Sequence, residues 1–561
     1  MFNRHWGRLW KSAVALTVFG WCAGLYPAHA GPGSPPVEFI RDGVILSPGP
    51  GMVVSNVTID GQRTTSSLLP GGRRLVEIPW RPRQKMSIEW RTGGDQHTLA
   101  ATAPLRPVPW VAWSQPWTSD DGSRSAISAM SFSADGNLLA VGSLDGLIRV
   151  METDSGRTIW TLRRQGRVVK QLSFSPDSDR LYAGEQGPEG RIAAYAPRSG
   201  NSDPLWHFDT AGELGRSQPT DPESPWGWID YPGAYRLMAR GDDVLAAMSH
   251  SWPRQGQRMA LARLYRLDGR TGSLRWSFPA DGPLRQAITW FAVNRNAGID
   301  QERIALPLQL PSGGIPRPGG ADESRVVVLA GKSGLPQFDQ VIAAEHPYRV
   351  AAFWRGVALS PDGRHLAVAT EDGRGFLYEE GARGWRPVKR LRLVQPLRLG
   401  EVTVTATNGT LVALQEGPLF VTGATYIPRE FRHAEDQPAA EHPQGNTLFA
   451  YTWSGQLRWL WRLEANLVGL VLSAGHSVLV LAQGRVPAPR HGEFQGITVL
   501  APGRAGSGRD KVLYRFGVEG RVVDNGLAVS PDGRWIALAE APLVDSATRL
   551  SRGAHRVHLL R

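Results

Sequence analysis

Two short signatures recur along this chain and constrain its fold more than any other feature. The first is a hairpin pattern, in which two apolar strands flank a tight turn that contains Asp-Gly or a close variant. Asp-Gly between apolar stretches is a strong hairpin signal, because glycine adopts positive φ without a steric penalty. We therefore interpret Asp135, Asp362 and Asp532 as turn residues rather than as metal ligands or catalytic acids. The clearest copies are FSADGNLLAVG (132–142), FSPDSDRLYAG (174–184), LSPDGRHLAVA (359–369) and VSPDGRWIALA (529–539).

The second signature is a glycine followed four residues later by an aromatic residue. The glycine turns the chain into a final strand, which then presents a large aromatic side chain for burial and packing. Regular copies are METDSGRTIW (151–160), LDGRTGSLRW (267–276), LAGKSGLPQF (329–338) and AYTWSGQLRW (450–459), and YAPRSGNSDPLW (195–206) is a looser copy. The aromatic residues expected to be buried are Trp160, Trp206, Trp276, Phe338 and Trp459.

The two signatures alternate, so each repeat contains two hairpins and hence four strands. From Asp135 to Asp177 is 42 residues, which is the length of a four-stranded propeller blade. Eight units begin near residues 126, 168, 235, 287, 355, 401, 467 and 522. The last unit ends at its third strand (556–560), and a lone strand at 108–117 precedes the first unit. The sequence therefore predicts an all-β fold, an eight-bladed β-propeller of four-stranded antiparallel blades, which the N-terminal strand closes.

The first 30 residues have the pattern of a cleavable secretory signal peptide. Arg4, Arg8 and Lys11 precede the apolar run 12–25, and Ala-His-Ala at 28–30 provides a cleavage site. An uncleaved anchor is the alternative, but the run is shorter than the about 20 apolar residues that a spanning helix needs. We expect a periplasmic or extracellular protein with no stable membrane span after cleavage. Cleavage would also remove the single cysteine, Cys22, which excludes disulfides, Cys-ligated zinc and iron–sulfur clusters.

The remaining chain divides into two predicted domains. Residues 31–105 contain several short strand patterns separated by turn residues, which favours a small N-terminal β-domain of the Ig-like sandwich type. The alternative is a strand-rich arm that lies on the propeller. Residues 106–561 form the propeller.

The repeats resemble those of known families. The Gly-x-x-x-Trp copies resemble quinoprotein-type (PQQ-like) propellers, and the SPDG hairpins resemble bacterial WD40-like repeats. Eight blades with tryptophan-bearing outer strands are similar to quinoprotein alcohol dehydrogenases and to the exported outer-membrane assembly propeller. The dehydrogenase resemblance implies a vicinal cysteine pair above the cofactor, which the mature chain would lack. We therefore expect no cofactor, PQQ included, while a metal ion in the channel stays open.

Long insertions between strands mark the expected working surface. In a four-stranded blade, the short hairpin turns emerge on one face, and the remaining loops emerge on the other. Long loops that carry aromatic residues provide good contact surface, although the same residues could instead pack the loops onto the disc. The insertions are 209–234, 249–258, 311–325, 341–354, 427–446, 485–496 and 541–554. The candidate partner-binding residues are Trp226, Trp228, Tyr231, Tyr235, Trp252, Trp290 and Trp354.

The 427–446 insertion also contains His433 and His442 among carboxylates, a mixture that could bind a metal but lacks regular spacing, so a solvated loop is favoured. No Gly-x-Ser-x-Gly or His-Glu-x-x-His motif occurs, so the common serine and zinc hydrolase signatures are missing.

These features predict an exported binding or scaffold protein without catalytic activity. Its partner would be an envelope protein, a peptide segment or a glycan. Nucleic acid is not expected, because the 63 Lys and Arg residues are scattered rather than clustered in basic runs. The alternatives are a propeller hydrolase, lactonase or lyase on a carbohydrate-like substrate, with a PQQ-dependent dehydrogenase least favoured, or a purely structural envelope component. Three or more carboxylates or histidines converging on the channel would favour catalysis, whereas an aromatic and arginine surface would favour binding.

Overall fold

The computed structural model describes residues 37–561, apart from 70–71, 79–80, 105–106, 119–124, 216–230, 255–256, 295–297, 310–323, 346–350, 354, 401, 427–441, 485–493, 505 and 545–549. The predicted signal peptide lies outside the described residues, as do Trp226, Trp228 and Trp354. The chain divides into two compact units, Met1–Val108 and Pro109–Arg561.

The first unit contains two four-stranded antiparallel sheets with one shared core. Its strands are β1 (Val37–Ile40), β2 (Gly43–Leu46), β3 (Met52–Ile59), β4 (Gln62–Arg63), β5 (Ser67–Leu68), β6 (Arg74–Glu77), β7 (Lys85–Thr92) and β8 (Asp95–Thr102). The strand orders are β1-β2-β6-β5 and β4-β3-β7-β8. Val44 and Leu46 of one sheet pack with Ile88 and Trp90 of the other. In β7 every second residue is buried, as expected for a sheet with one face against a core.

The second unit is built from successive groups of antiparallel strands, which we number in chain order. Strand β9 (Val111–Pro116) comes first. Group 1 is β10 (Ile127–Phe132), β11 (Leu138–Ser143), β12 (Leu147–Glu152) and β13 (Thr158–Arg163). Group 2 is β14 (Val168–Phe174), β15 (Leu181–Gln186), β16 (Arg191–Tyr195) and β17 (Trp206–Asp209). A helical turn, α1 (Ala211–Leu214), follows β17. Group 3 is β18 (Gly233–Arg240), β19 (Asp243–Arg254), β20 (Gln257–Asp268) and β21 (Leu274–Phe278).

The other groups follow the same pattern with small additions. Group 4 is β22 (Ala287–Ile288), β23 (Ala292–Val293), β24 (Arg303–Gln309), β25 (Arg325–Ala330) and β26 (Pro336–Val341). Group 5 is β27 (Val357–Leu359), β28 (His365–Ala369), β29 (Arg374–Gly381) and β30 (Gly384–Arg392). Group 6 is β31 (Leu397–Leu399), β32 (Val402–Leu414), β33 (Gly417–Tyr426), β34 (Thr447–Tyr451) and β35 (Leu457–Arg462). Group 7 is β36 (Leu467–Leu472), β37 (Leu479–Gln483), β38 (Gly496–Leu500) and β39 (Val512–Gly517).

Group 8 combines the two ends of this unit. It contains β40 (Arg521–Val529), β41 (Ile536–Ala541) and β44 (Arg556–Leu560), while β42 (Leu543–Val544) and β43 (Ser551–Arg552) form a separate ribbon. The outermost position is taken by β9, which pairs antiparallel with β44. The segment expected at 108–117 therefore completes this sheet.

Apolar cores hold consecutive groups together. Trp160 of group 1 packs with Tyr195 of group 2, and equivalent clusters join each later pair of groups. Leu139 of group 1 shares a cluster with Val557 of group 8, so the packing returns to its starting point. The strands β11, β15, β37 and β41 are buried along their whole length, which explains apolar runs such as LLAVGS in β11. This succession of antiparallel sheets is a β-propeller.

The Ser-x-Asp hairpins are fixed by their own side chains. Ser175 donates a hydrogen bond to the Asp177 carboxylate, which also accepts one from the backbone N–H of Asp179. The Ser175 hydrogen bond holds the pKa of Asp177 below its usual value. The same Ser–Asp contact occurs at Asp135, Asp362 and Asp532, so their interpretation as turn residues is confirmed.

The Gly-x-x-x-aromatic signature forms a contact between neighbouring groups. Trp206 on the outer strand of group 2 donates from Nε1 to the carbonyl oxygen of Gly269 in group 3, at 3.0 Å. Gly272, at φ +74°, lies so close that an added Cβ would stand 2.6 Å from the Trp206 ring. Trp160 and Trp276 donate in the same way to the turn of the following group. The repeated glycine therefore provides both the turn and the space for the neighbouring tryptophan.

Gly272→Ala is expected to lower the free energy of unfolding by about 2–4 kcal/mol, because it adds overpacking to the cost of positive φ. Gly241→Ala is a matched control, since Gly241 has φ +57° and nothing within 4 Å of an added Cβ. We expect the control to cost only about 1 kcal/mol. Urea-unfolding midpoints of both variants measure the difference, and equal losses would show that the Trp206 contact adds nothing.

Several predicted insertions are ordered structure. The prediction of a long loop at 249–258 is wrong, because β19 and β20 stay paired as far as Arg254 and Gln257. The 541–554 insertion contains the β42–β43 ribbon. In 341–354, Ile342, Ala351 and Phe353 are buried in a core cluster, so this connection packs onto the sheets.

Candidate functional site: the central cavity

The innermost strands of several groups share an irregularity at the same place. The pairing register shifts by one residue in β10, β14, β18 and β36, and the shift falls at Ser128, Lys170, Tyr235 and Val468. Such a bulge turns a side chain away from its regular direction, often beside a functional site. In β40 the shift is larger and spans the residues between Val522 and Leu527.

Arg355 and Asn525 occupy this repeat position in groups 5 and 8. Each comes five residues before the hairpin serine, as Lys170 comes five residues before Ser175. Both are followed by glycine, and both have positive φ, +50° for Arg355 and +61° for Asn525. Non-glycine residues in this conformation carry strain, which the surrounding structure must offset.

Four of these positions, Lys170, Tyr235, Arg355 and Asn525, meet at a cavity of about 410 Å³ inside the ring. It is lined by the innermost segments of groups 1 to 5, 7 and 8, with apolar residues such as Leu172 and Leu527 among the polar ones. This volume is in the usual range for a ligand pocket. The charged, amide and aromatic lining residues are Lys170, Gln171, Tyr235, Arg236, Trp290, Arg355, Asp524 and Asn525.

Cations and aromatic rings alternate on the cavity wall. The guanidinium carbon of Arg236 lies 3.4 Å from the Trp290 ring centroid, and that of Arg355 lies 5.1 Å from the same centroid. Lys170 Nζ lies 5.3 Å from the Tyr235 ring centroid. Attraction between a cation and an aromatic face is stronger where water is excluded, so these contacts position the cations within the cavity.

One ion pair crosses the cavity from group 5 to group 8. Arg355 Nη2 lies 3.3 Å from Asp524 Oδ1 and also donates to the side-chain oxygen of Asn525. Burial lowers the pKa of Lys170, and the nearby Asp524 carboxylate partly opposes this shift. The Asp524 carboxylate therefore offsets part of the positive charge of Lys170 and Arg355.

The structure brings together two of the predicted site residues, Tyr235 and Trp290. Tyr235 lies in the innermost strand β18, and Trp290 lies in the segment between β22 and β23. Tyr231 and Trp252 do not line the cavity. The carbonyl oxygen of Tyr231 accepts a hydrogen bond from Gln186, and Trp252 packs beside His250 on β19.

The predicted solvated character of the 427–446 insertion is wrong for His442, which is buried. Its Nε2 lies 2.9 Å from the carbonyl oxygen of Gln395, and its Nδ1 accepts from the Gln444 backbone N–H. Burial lowers its pKa, so the neutral form is favoured. His433 lies outside the described residues. Across the described ranges, no group of three His, Cys, Asp or Glu side chains could hold a metal ion.

A larger cleft of about 820 Å³ lies among the hairpin turns of groups 4 to 7. Its charged and aromatic residues interact with one another. Arg303 pairs with Glu380 at 3.2 Å, and the His365 ring stacks on Trp453 at a centroid distance of 5.3 Å. The central cavity is the better candidate, because its described lining residues include more cations than carboxylates.

The interpretation of the sequence missed Lys170, Arg236, Arg355, Asp524 and Asn525 as site residues. A signal for three of them was present. Aligning the repeats on the hairpin serine places Lys170, Arg355 and Asn525 in one column, where Ser128 and Val468 also stand. Polar residues in this column, five residues before the hairpin serine, would have indicated which side chains line the channel.

A family model described as the anaphase-promoting complex subunit 4 WD40 domain matches residues 110–177. Over 92 residues, or 16% of this chain, the sequence is 32% identical to the WD repeat-containing protein 91 homolog of Dictyostelium discoideum. The match spans only 12% of that relative.

Two solved propellers illustrate the structural comparison. The Dos1 propeller is 10% identical with a TM-score of 0.46, and the match covers 80% of this chain and 96% of the other. BamB from Moraxella catarrhalis is 11% identical with a TM-score of 0.42, and the match covers 81% and 97%. No helix in the described part of the chain has the length and apolarity that crossing a bilayer requires. The chain is thus similar over a short stretch to WD40 repeat proteins, and its strands form a β-propeller.

Proposed function

We propose that this chain is an exported, non-catalytic binding propeller, which holds a segment of a partner protein in its central cavity. The observation that carries the proposal is the cavity wall, where the guanidinium groups of Arg236 and Arg355 both lie over the Trp290 ring. Tryptophan, tyrosine and arginine are the residues that dominate binding energy in protein interfaces. WD40 repeat proteins, which this chain resembles over residues 110–177, are typically protein-binding scaffolds.

The charge pattern of the cavity favours binding over catalysis. Among its described lining residues, Asp524 is the one carboxylate and no histidine is present. A hydrolase or lyase site would need several acid or base groups converging on the reacting atoms. The alternative of a propeller enzyme on a carbohydrate-like substrate therefore has less support than the binding function.

We propose further that each strand group is one blade, so that the propeller has eight blades. The β9–β44 pairing and the cluster between groups 8 and 1 support a closed ring. A closed ring leaves no exposed sheet edge and presents a rigid cavity, which lowers the entropic cost of binding. The partner is proposed to be an envelope protein, consistent with the predicted signal peptide, and cell fractionation tests that location.

Trp290→Ala is expected to weaken partner capture at least about tenfold, as truncation of a central interface aromatic usually does. The mature protein is used to pull down partners from its own envelope fraction, and affinity is then measured by calorimetry with the purified partner. Trp453→Ala is the matched control, because Trp453 is also a partly buried tryptophan but lies in the other cleft. Normal binding by Trp290→Ala together with lost binding by Trp453→Ala would place the function in the hairpin cleft instead.

A further inference from the structure

Cations outnumber carboxylates among the described residues that line the central cavity. Of its described lining residues, Lys170, Arg236 and Arg355 are cationic, whereas Asp524 is the one anionic residue. A recess with apolar walls and one dominant sign of charge attracts ligands of the opposite sign more strongly than an open surface does. Apolar lining residues such as Leu172 and Leu527 provide such walls. The ligand that complements this cavity is therefore an anion.

The ion pair between Arg355 and Asp524 is arranged so that another carboxylate could take the place of Asp524. Arg355 is only 16% exposed, whereas its partner Asp524 is 45% exposed and belongs to the four-residue excursion of β40. Arg355 and Asn525 both have positive φ, and their side chains are hydrogen-bonded to each other. The two strained positions are therefore in direct contact. Strained backbone that persists at a cavity is characteristic of ligand clamps. The carboxylate of Asp524 thus occupies the side of Arg355 that an incoming carboxylate would need.

We propose that the cavity binds a carboxylate on an acidic segment of the partner protein, and that this carboxylate replaces Asp524 beside Arg355. The inference rests on the proposed binding function and specifies its ligand chemistry. The planar guanidinium of Arg355 matches a carboxylate bidentately, and its contact with Trp290 holds the plane in position. Lys170 adds a second positive charge on the neighbouring wall.

The test uses blocked hexapeptides, one with two adjacent glutamates and one with glutamines in their place. We expect the mature protein to bind the acidic peptide at least about tenfold more tightly, because hydrogen bonds to charged groups are stronger than neutral ones. Fluorescence anisotropy at two salt concentrations measures the affinities, and binding should weaken as salt rises. Equal affinity for the two peptides would overturn the inference.

Substitutions of residues in the cavity wall should change the affinity for the acidic peptide in opposite directions. Lys170→Gln and Arg355→Gln should each weaken binding of the acidic peptide about tenfold, because each removes a cation that contacts the ligand. Asp524→Asn should tighten it several-fold, since the internal competitor loses its charge. A role of Asp524 in folding alone would not produce tighter binding. Weaker binding by Asp524→Asn would overturn the replacement of Asp524.

The controls separate this inference from the proposed function. Lys332→Gln and Asp300→Asn alter an exposed surface ion pair and should leave the peptide affinity unchanged. Glutarate is the probe for a small organic acid, and glutarate binding as tight as that of the acidic peptide would overturn a peptide ligand. One result would distinguish the two proposals: Trp290→Ala abolishes partner capture, whereas Lys170→Gln and Asp524→Asn leave it unchanged. The binding function would then stand, and the carboxylate ligand would be overturned.

Discussion

Glu302→Ala is expected to lower the free energy of unfolding by about 3–5 kcal/mol, the usual cost of removing one partner from a buried ion pair. The Glu302 side chain is only 2% exposed and accepts hydrogen bonds from Arg240 Nε at 2.7 Å and from Arg266 Nη1. Arg266 is itself buried, so the alanine variant leaves a charge in a low-dielectric site without that carboxylate. Both arginines belong to group 3 and Glu302 belongs to group 4. The variant should therefore weaken the packing between these two groups.

Glu152→Ala provides the matched control for this prediction. Glu152 pairs with Arg157, but the two side chains are 31% and 67% exposed. An exposed pair of this kind contributes little to stability, because water and salt screen it. Urea unfolding, monitored by tryptophan fluorescence, compares the stability of the two variants. Glu302→Gln then shows how much of the lost stability comes from the charge of Glu302 rather than from its shape. Equal, small losses for Glu302→Ala and Glu152→Ala would mean that water reaches the Glu302 site.

The elements that were predicted well are those whose determinants are local. The turn at Asp177 depends on Ser175, two residues away, and the buried strand β11 is a continuous apolar run. The contact between Trp206 and Gly272 can also be predicted from the sequence, because both residues belong to copies of a short repeated motif. Local hydrogen bonds, positive φ at glycine and apolar periodicity are properties that a sequence carries directly.

The cavity was not predicted because its determinants are not local. Lys170, Arg355 and Asp524 are far apart in the sequence, and ring closure together with strand bulges brings them to one wall. A bulge depends on how a strand packs against its neighbours, so residue type alone did not reveal it. Trp252 was misplaced for a related reason, since the polar and aromatic residues of this long hairpin resemble those of a loop.

Trp117→Ala is expected to cost about 3–5 kcal/mol, as buried tryptophan truncations do, and to act on the closure of the ring. Trp117 follows β9 directly, is 2% exposed and packs with Leu139 of group 1 and with Val557 and Leu559 of group 8. Its backbone N–H also donates to the carbonyl oxygen of His555, at 2.8 Å. The side chain therefore joins the strand that closes the ring to both groups at the junction.

The effect of Trp117→Ala should be confined to that junction. We expect faster amide hydrogen exchange in β9 and β44, while β24 and β28 on the other side of the ring exchange as before, because local opening needs less free energy than global unfolding. Leu460→Ala removes a side chain that is 54% exposed and should change neither stability nor exchange. If Trp117→Ala instead raises exchange uniformly, the propeller opens as one cooperative unit. If β9 and β44 keep their protection, backbone pairing alone is sufficient to close the last sheet.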